Sequence, residues 1–417
     1  MNEVKKVYYR LLVFILIYIE FGYHMVVTSA LPGNVRTLII ILITIPLLFS
    51  KRTSFSETAF VLFSYLGLVI LLNMARDNAI GDLILLFVPL FIGFVVANRI
   101  DLRNAIDAFN DVIFFLACFS LITYSIALIF PSVIEKLPLL GQVYDSKATM
   151  HNAVFSVCIS NASFIRNYGI TWEPGAFSVL LCISLFTFVV VVRPIKIYKV
   201  IILLATIITT FSTMGYFVAA GILALLLFRE KYNKSRWKVF VLFIVGVLGL
   251  FFILPDSVRN VVFSKLEGLF GDGDIAVTTQ ARINAIIYPF KAFLQSPFFG
   301  VGYEQFKIVN VTLCDGVATN TIINWFAVMG ISFAVPCAVG YFKCVDTLLK
   351  WNKFSVVGRT MGILLSILLV STESLLRISL IYIVIFYGIN INYSRKGVAN
   401  IEEQKYCVGS LVAGRNI

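Results

Sequence analysis

The stretch "RNYGITWEPGAFSVLL", residues 166–181, sets an arginine, a tryptophan and a glutamate immediately before a long apolar run. Glu173 stands beside Pro174, at the position favoured for the start of a helix. There a carboxylate caps the helix dipole or, where partial burial raises its pKa, accepts a proton. Arg166 carries a planar fork of donors that meets phosphate oxygens in pairs and keeps its charge near lipid. A second arginine, Arg282, opens "RINAIIYPFKAFLQ" (282–295), in which Ile283, Ile286, Ile287, Phe290, Phe293 and Leu294 recur at helical spacing. That pattern predicts an amphipathic helix on a membrane surface, kinked at Pro289 and ended by the Pro and Gly turn "SPFFGVGY" (296–303).

The frame that must position these residues follows from composition. The chain has 417 residues, 59% hydrophobic and only 13% charged, with a mean hydropathy of +0.94. Those values exceed soluble globular domains and indicate an integral membrane protein. The first apolar run, from Tyr8 to about Thr28, lacks a small-residue cleavage site and reads as a retained helix. A hydrocarbon core needs about 20 apolar residues per helix. Runs of that kind begin near Tyr8, Val35, Glu57, Asp82, Ala105, Pro174, Lys238, Thr321, Val356 and Arg377.

Val200 to Phe228 is long for one span and short for two. It is flanked by "RPIKIYK" (193–199) and "REKYNKSRWK" (229–238). Cytoplasmic loops collect Lys and Arg, so both flanks are expected inside and the crossings between them are even in number. The chain therefore turns at "TTFSTMGY" (209–216), where Ser212, Thr213 and Gly215 supply turn chemistry. The result is an all-α polytopic membrane protein with about twelve transmembrane helices and both termini cytoplasmic. In this arrangement 23 of the 34 Lys and Arg fall inside. The +12 net charge is thus a topology signal, with no case for nucleic acid.

Residues 1–417 form a single membrane domain with two long external loops, 131–173 and 255–320, and a polar cytoplasmic tail at 397–417. The second loop carries short amphipathic helices, with a weaker pattern in "NVVFSKLEGLF" (260–270). Every cytoplasmic loop is short, so the chemistry belongs at the outer rim.

Taken together, the arginine ahead of "WEPG", the Thr210, Ser212 and Gly215 break, Arg282 with fourteen residues before "PFFGVGYEQF", and "TNTIINWFAVMGI" (319–331) resemble the bacterial O-antigen polymerase and ligase superfamily, with the Wzy-type polymerases the closer match. The resemblance spans about Arg166 to Ile331. It implies metal-independent inverting glycosyl transfer between polyprenyl-diphosphate-linked oligosaccharides at the outer face of the cytoplasmic membrane, without a cofactor. The implied partners are those lipid-linked sugars and membrane lipid, with a flippase and a chain-length regulator as neighbours. Arg166 and Arg282 would hold the leaving diphosphate, and Glu173 would orient or deprotonate the acceptor hydroxyl. Trp172 would offer a flat face to a sugar ring, and Tyr303, Asn320 and Thr213 would contact substrate. Ligases of this superfamily carry a His-Asn pair near the end of the large loop. This chain has Thr319 and Asn320 there, which favours the polymerase. A transporter for the same lipid-linked sugar is the rival from another class, but ionisable residues gather at the rim and not at mid-membrane.

Other signals read as structure. "GDGD" (271–274) is a Gly-rich external turn, His24 and His151 form no zinc spacing with the cysteines, and Arg36, Arg76, Arg259 and Arg377 are rim anchors. Asp107 and Asp111 lie near the inner end of a span, towards water or a neighbouring helix. Cys158 and Cys314 are the two external cysteines, one per long loop, and stand either as a disulfide or as two half-buried thiols. A cysteine placed at Thr213 in an otherwise cysteine-free chain is predicted to react with a small impermeant maleimide on intact cells. Protection equal to that of a cytoplasmic control site would overturn the outward turn.

Overall fold

The computed structural model describes residues 3–22, 31–50, 56–77, 80–142, 148–162, 165–192, 196–229, 275–314 and 319–390. Among them are fourteen helices. In chain order these are α1 (Glu3–Glu20), α2 (Gly33–Leu48), α3 (Glu57–Asp77), α4 (Ile80–Arg99), α5 (Leu102–Ile129), the single turn α6 (Pro131–Ile134) and α7 (Pro174–Val190). Then follow α8 (Ile197–Thr210), α9 (Thr213–Ala224), α10 (Ile275–Gln295), α11 (Tyr303–Leu313), α12 (Thr321–Trp351), α13 (Val356–Ser371) and α14 (Ser379–Ile389). Eleven of the twelve expected runs fall on helices, namely α1 to α5, α7 to α9 and α12 to α14. The run near Lys238 lies outside the described residues, as do 260–270, "GDGD", His24 and the tail. By length and composition α3, α5 and α12 are apolar enough to cross a bilayer, and seven further helices are apolar but shorter.

The first long loop departs from the all-α expectation. It folds into a three-stranded antiparallel sheet, β1 (Leu139–Gln142), β2 (Thr149–Asn152) and β3 (Val157–Ser160), in that order. All four residues of β3 are buried. The strand therefore lacks the alternation of polar and apolar residues by which a half-buried strand is recognised. His151 on β2 is tied down within the sheet, its Nδ1 3.1 Å from the Leu137 carbonyl and its Nε2 2.9 Å from Ser160 Oγ.

Two features fix the helices relative to one another. α14 packs against α4 and α12, with Gly388 directly against the backbone of Gly340, and the fully buried Trp325, Phe333, Tyr382 and Phe386 fill this region. Small residues at such a contact let two backbones approach closely. At one end of α1, the Glu20 carboxylate accepts hydrogen bonds from both the backbone N–H and the hydroxyl of Ser379, at the start of α14.

The segment 200–228 does break where charge placed the turn. α8 ends at Thr210, Phe211 adopts a left-handed conformation (φ 50°), and Ser212 caps α9 by accepting from the Gly215 N–H at 3.3 Å.

α10 begins seven residues ahead of Arg282 and is 21 residues long, so it is not a short helix, and Pro289 sits inside it. Ile283, Ile286, Ile287, Phe290 and Leu294 are exposed, whereas Ala285 and Ala292 are buried. Phe293 meets Phe326 of α12 edge-on at 5.3 Å. An apolar stripe turned away from the rest of the protein suits a lipid surface.

The turn after α10 plugs a break in α12. Gly330 departs from helical geometry (φ 70°, ψ −171°), which frees backbone groups on both sides of it. Val301 N–H and Gly302 N–H donate to the Ala327 and Val328 carbonyls, at 2.8 and 3.1 Å. In return, Ile331 N–H and Ser332 N–H donate to the Pro297 and Phe298 carbonyls, at 2.8 and 3.2 Å. A Cβ on Gly330 would lie 2.4 Å from Phe298 backbone atoms, in a conformation essentially reserved for glycine. Gly330→Ala is therefore predicted to destabilise the protein by about 1–3 kcal/mol or more. Thermal unfolding in detergent checks this, and an unchanged melting temperature would show that the plug does not hold α12.

Candidate active site

The segment carrying Arg166 and Glu173 is stitched onto the break between α8 and α9. Arg166 donates from Nε to the Thr210 carbonyl at 3.0 Å and from Nη2 to the Phe211 carbonyl at 3.1 Å. These carbonyls stand at the C-terminal end of α8, where orphan acceptors and the negative end of the dipole favour a cation. A guanidinium has five N–H donors, so Arg166 retains donors beyond those two. Next to it, Asn167 donates from its backbone N–H to the Thr209 carbonyl at 2.9 Å and from Nδ2 to Thr209 Oγ1 at 3.0 Å. Thr171 Oγ1 donates to the Glu173 carbonyl at 2.7 Å, fixing the approach to α7.

Glu173 is the residue before Pro174, with extended backbone (φ −150°), and its side chain is exposed. Beside it lies a residue that sequence reading missed. Glu373, in the link between α13 and α14, is only 9% exposed, and its carboxyl lies beside that of Glu173. Gly175 makes room for both: a Cβ there would sit 3.2 Å from Glu173 Oε1 and 3.2 Å from Glu373 Oε1. Burial pushes the Glu373 carboxyl well above the usual range, the Glu173 carboxyl pushes the same way, and Arg282 pulls it back. A buried carboxyl beside a second one favours keeping its proton.

Arg282 is exposed on α10 and close enough to act electrostatically on both Glu373 and Arg166. The charge on Arg166 is opposed first by burial and supported by the nearby Glu173, with Arg282 opposing it more weakly. The three residues marked in the sequence for catalysis, Arg166, Glu173 and Arg282, thus gather with Glu373 at one end of the helices.

The expected substrate contacts stand at the same end but have partners within the protein. One face of Trp172 stacks on Phe21, with ring centroids 5.9 Å apart and planes within 10°. Tyr303, the first residue of α11, has the Arg377 guanidinium 3.9 Å from its ring centroid, so Arg377 belongs beside the site and not merely at the rim. Asn320 adopts a left-handed conformation (φ 65°) and caps α12, its Oδ1 accepting from the Ile323 N–H at 3.1 Å. The following residue, Thr321, donates its hydroxyl to the Glu373 carbonyl at 2.8 Å and accepts from the Leu375 N–H at 2.8 Å. Asn324 Nδ2 donates to Ser374 Oγ at 3.0 Å. The "TNTIIN" stretch thereby holds the strap that carries Glu373. Thr213 is the first residue of α9, half-buried next to the Ser212 cap.

A link between the long loops through Cys158 and Cys314 does not form, because both thiols are free and buried in different places. Cys158 packs with Ala127, Ile134 and Ala153, whereas Cys314 Sγ points to the Asn284 carbonyl at 3.6 Å.

Residues 197–335 match the model of the O-antigen ligase family, which supports the polymerase and ligase superfamily that the sequence resembles. The matched segment holds Thr213, Arg282, Tyr303 and Asn320, while Arg166, Glu173 and Glu373 lie on either side of it. No curated protein and no solved structure matches the chain.

The carboxyl pair has a consequence for stability. Glu373 holds its proton more tightly in the folded protein than in the unfolded chain. Its contribution is fully present below the ordinary glutamate range and is lost as pH rises through its raised value. Glu373→Gln, which mimics the protonated form, is predicted to gain on the wild type as pH rises. At pH 8 the gain in melting temperature should be on the order of 2 °C, vanishing near pH 4. Equal differences at both pH values would show that Glu373 is ionised like an ordinary surface carboxylate.

Proposed function

We propose that the protein joins polyprenyl-diphosphate-linked oligosaccharide repeat units by inverting glycosyl transfer at the outer face of the bacterial cytoplasmic membrane. The observation that carries this reading is the meeting of Arg166 and Arg282 with the Glu173 and Glu373 carboxyls at the mouth of apolar helices, in and around a segment matching the O-antigen ligase family.

In this reading the acceptor sugar's hydroxyl oxygen attacks the anomeric carbon of the donor from the face opposite the diphosphate. The carbon–oxygen bond to the diphosphate breaks, and the diphosphate departs with the electron pair. Arg282, exposed on α10, takes the phosphate oxygens, and the remaining donors of Arg166 assist. The proton of the hydroxyl passes to Glu173, the exposed member of the carboxyl pair. Glu373 keeps the other proton and, being buried and strapped to α12 through Thr321, acts by positioning Glu173. Arg377 on Tyr303 closes the same end of the site.

The description of the matched family favours a second reading, a ligase that transfers finished chains to a lipid acceptor. Thr319 and Asn320 stand where the resemblance places a histidine in ligases, and Asn320 is engaged as a helix cap. This weighs towards the polymerase.

A deletion strain separates the possibilities through the length and location of lipid-linked sugar. Single repeats on the outer face mark a lost polymerase, long unattached chains a lost ligase, and repeats retained on the cytoplasmic face a lost transporter. Complementing that strain with Arg282→Lys tests the diphosphate role. Lys keeps the charge but loses the paired geometry, so polymer should fall by about tenfold or more at unchanged protein level. Full-length polymer from the Lys variant would reduce Arg282 to a headgroup anchor.

A further inference from the structure

At the other end of α7, about 25 Å from Glu173 by the rise of a 17-residue helix, lies a cavity of about 390 Å³ that the proposed reaction does not use. Its wall is built from the ends of four elements: the start of α1, the start of α5, the end of α7 and the start of α8. Apolar helices that all end at one level place that level where headgroups meet water.

Five cations line this cavity, Lys6, Arg10, Arg103, Lys196 and Lys199, against two carboxylates, Asp107 and Asp111. Asp111 is already shared, by Arg10 at 2.6 Å and Lys199 at 2.9 Å. Asp107 lies one helical turn from Arg103 on α5. Lys199 is held inward by the rings of Phe114 and Phe188, at 4.8 and 5.6 Å. Lys196 is exposed and has no side-chain hydrogen bond or ion pair among the described residues. Lys6 is paired with Glu3 just outside the lining, which leaves four cations against two carboxylates and an excess of positive charge in one concave space that favours an anion.

A second observation points the same way. Asn110 lines the cavity and is 2% exposed. Its Oδ1 accepts from Ser184 Oγ at 2.9 Å and lies 2.8 Å from Thr187 Oγ1. Its Nδ2 has no acceptor among the described residues. A buried donor without an acceptor is unfavourable, and an oxygen-bearing anion seated in the cavity is the kind of ligand that would relieve it.

We infer that this cavity binds a phosphate group, gripped by Arg103 and Lys196 with Lys199 behind them, and that its source is the headgroup of an anionic phospholipid. Basic pockets between helices at the cytoplasmic interface select such headgroups. The site is separate from the proposed glycosyl transfer and does not depend on it.

The test uses the full-length protein, purified in detergent, stripped of lipid and offered equal amounts of phosphatidylglycerol and phosphatidylcholine, with bound lipid read by native mass spectrometry. The wild type should retain phosphatidylglycerol preferentially, and Arg103→Gln and Lys196→Gln should each weaken that preference by about five-fold. Both side chains are exposed, so the variants are expected to fold, and thermal unfolding verifies it. In a second arm, inorganic phosphate replaces the lipid and the melting temperature is read. Protection of the wild type by phosphate, lost in the Lys196→Gln variant, with no preference among lipids, would keep the phosphate site but overturn its lipid source. No lipid preference and no phosphate protection, or equal effects in wild type and both variants, would overturn the site itself.

Discussion

Where an apolar helix breaks, the N–H and C=O groups it releases must find partners, because the surroundings offer little water. Much of this protein's site follows from that constraint. The break between α8 and α9 releases the Thr209, Thr210 and Phe211 carbonyls, and the partners that reach them are the Asn167 N–H and the Arg166 guanidinium. The break at Gly330 releases groups on both sides, and the 297–302 turn answers them. The link between α13 and α14 is held by Thr321 and Asn324. Each repair brings one functional candidate with it: Arg166 in the first case, α10 with Arg282 in the second, and Glu373 in the third.

The site is therefore assembled from three separated stretches whose register is set by backbone hydrogen bonds, while its charges work against the fold. A carboxyl as buried as Glu373, beside a second carboxyl, is unfavourable when ionised, and the cationic side chains nearby only partly offset this. Such placement is common where chemistry requires it and is seldom kept for stability alone. The many backbone contacts at the breaks supply the rigidity that lets a poorly compensated cluster persist.

The helices were legible from hydropathy, and the break near Ser212 from the basic residues on both sides of 200–228, which call for an even number of crossings. Arg166, Glu173 and Arg282 were legible from their position before or within amphipathic and apolar runs. Glu373 was not. It lies in "STESLLR", a short link that hydropathy reads only as a boundary, and its partner Glu173 is far away in sequence. The sheet escaped because β3 is buried on every residue and shows no alternation. Trp172 suggested an open aromatic face and Tyr303 a substrate contact, and only three-dimensional packing shows Phe21 on the first ring and Arg377 on the second. The disulfide was permitted by compartment, but spacing along a chain carries no information on where two thiols point.

The bond between Glu20 and Ser379 joins residues 359 positions apart, α1 to α14. α1 is made early in translation, and its carboxylate waits for a partner that emerges only when nearly all the other helices have been inserted. Until then the chain carries a polar carboxyl group without its partner in a setting that cannot solvate it well. The last described helix thus acts as a closing latch, and a ribosome that stops short leaves an acid exposed to lipid.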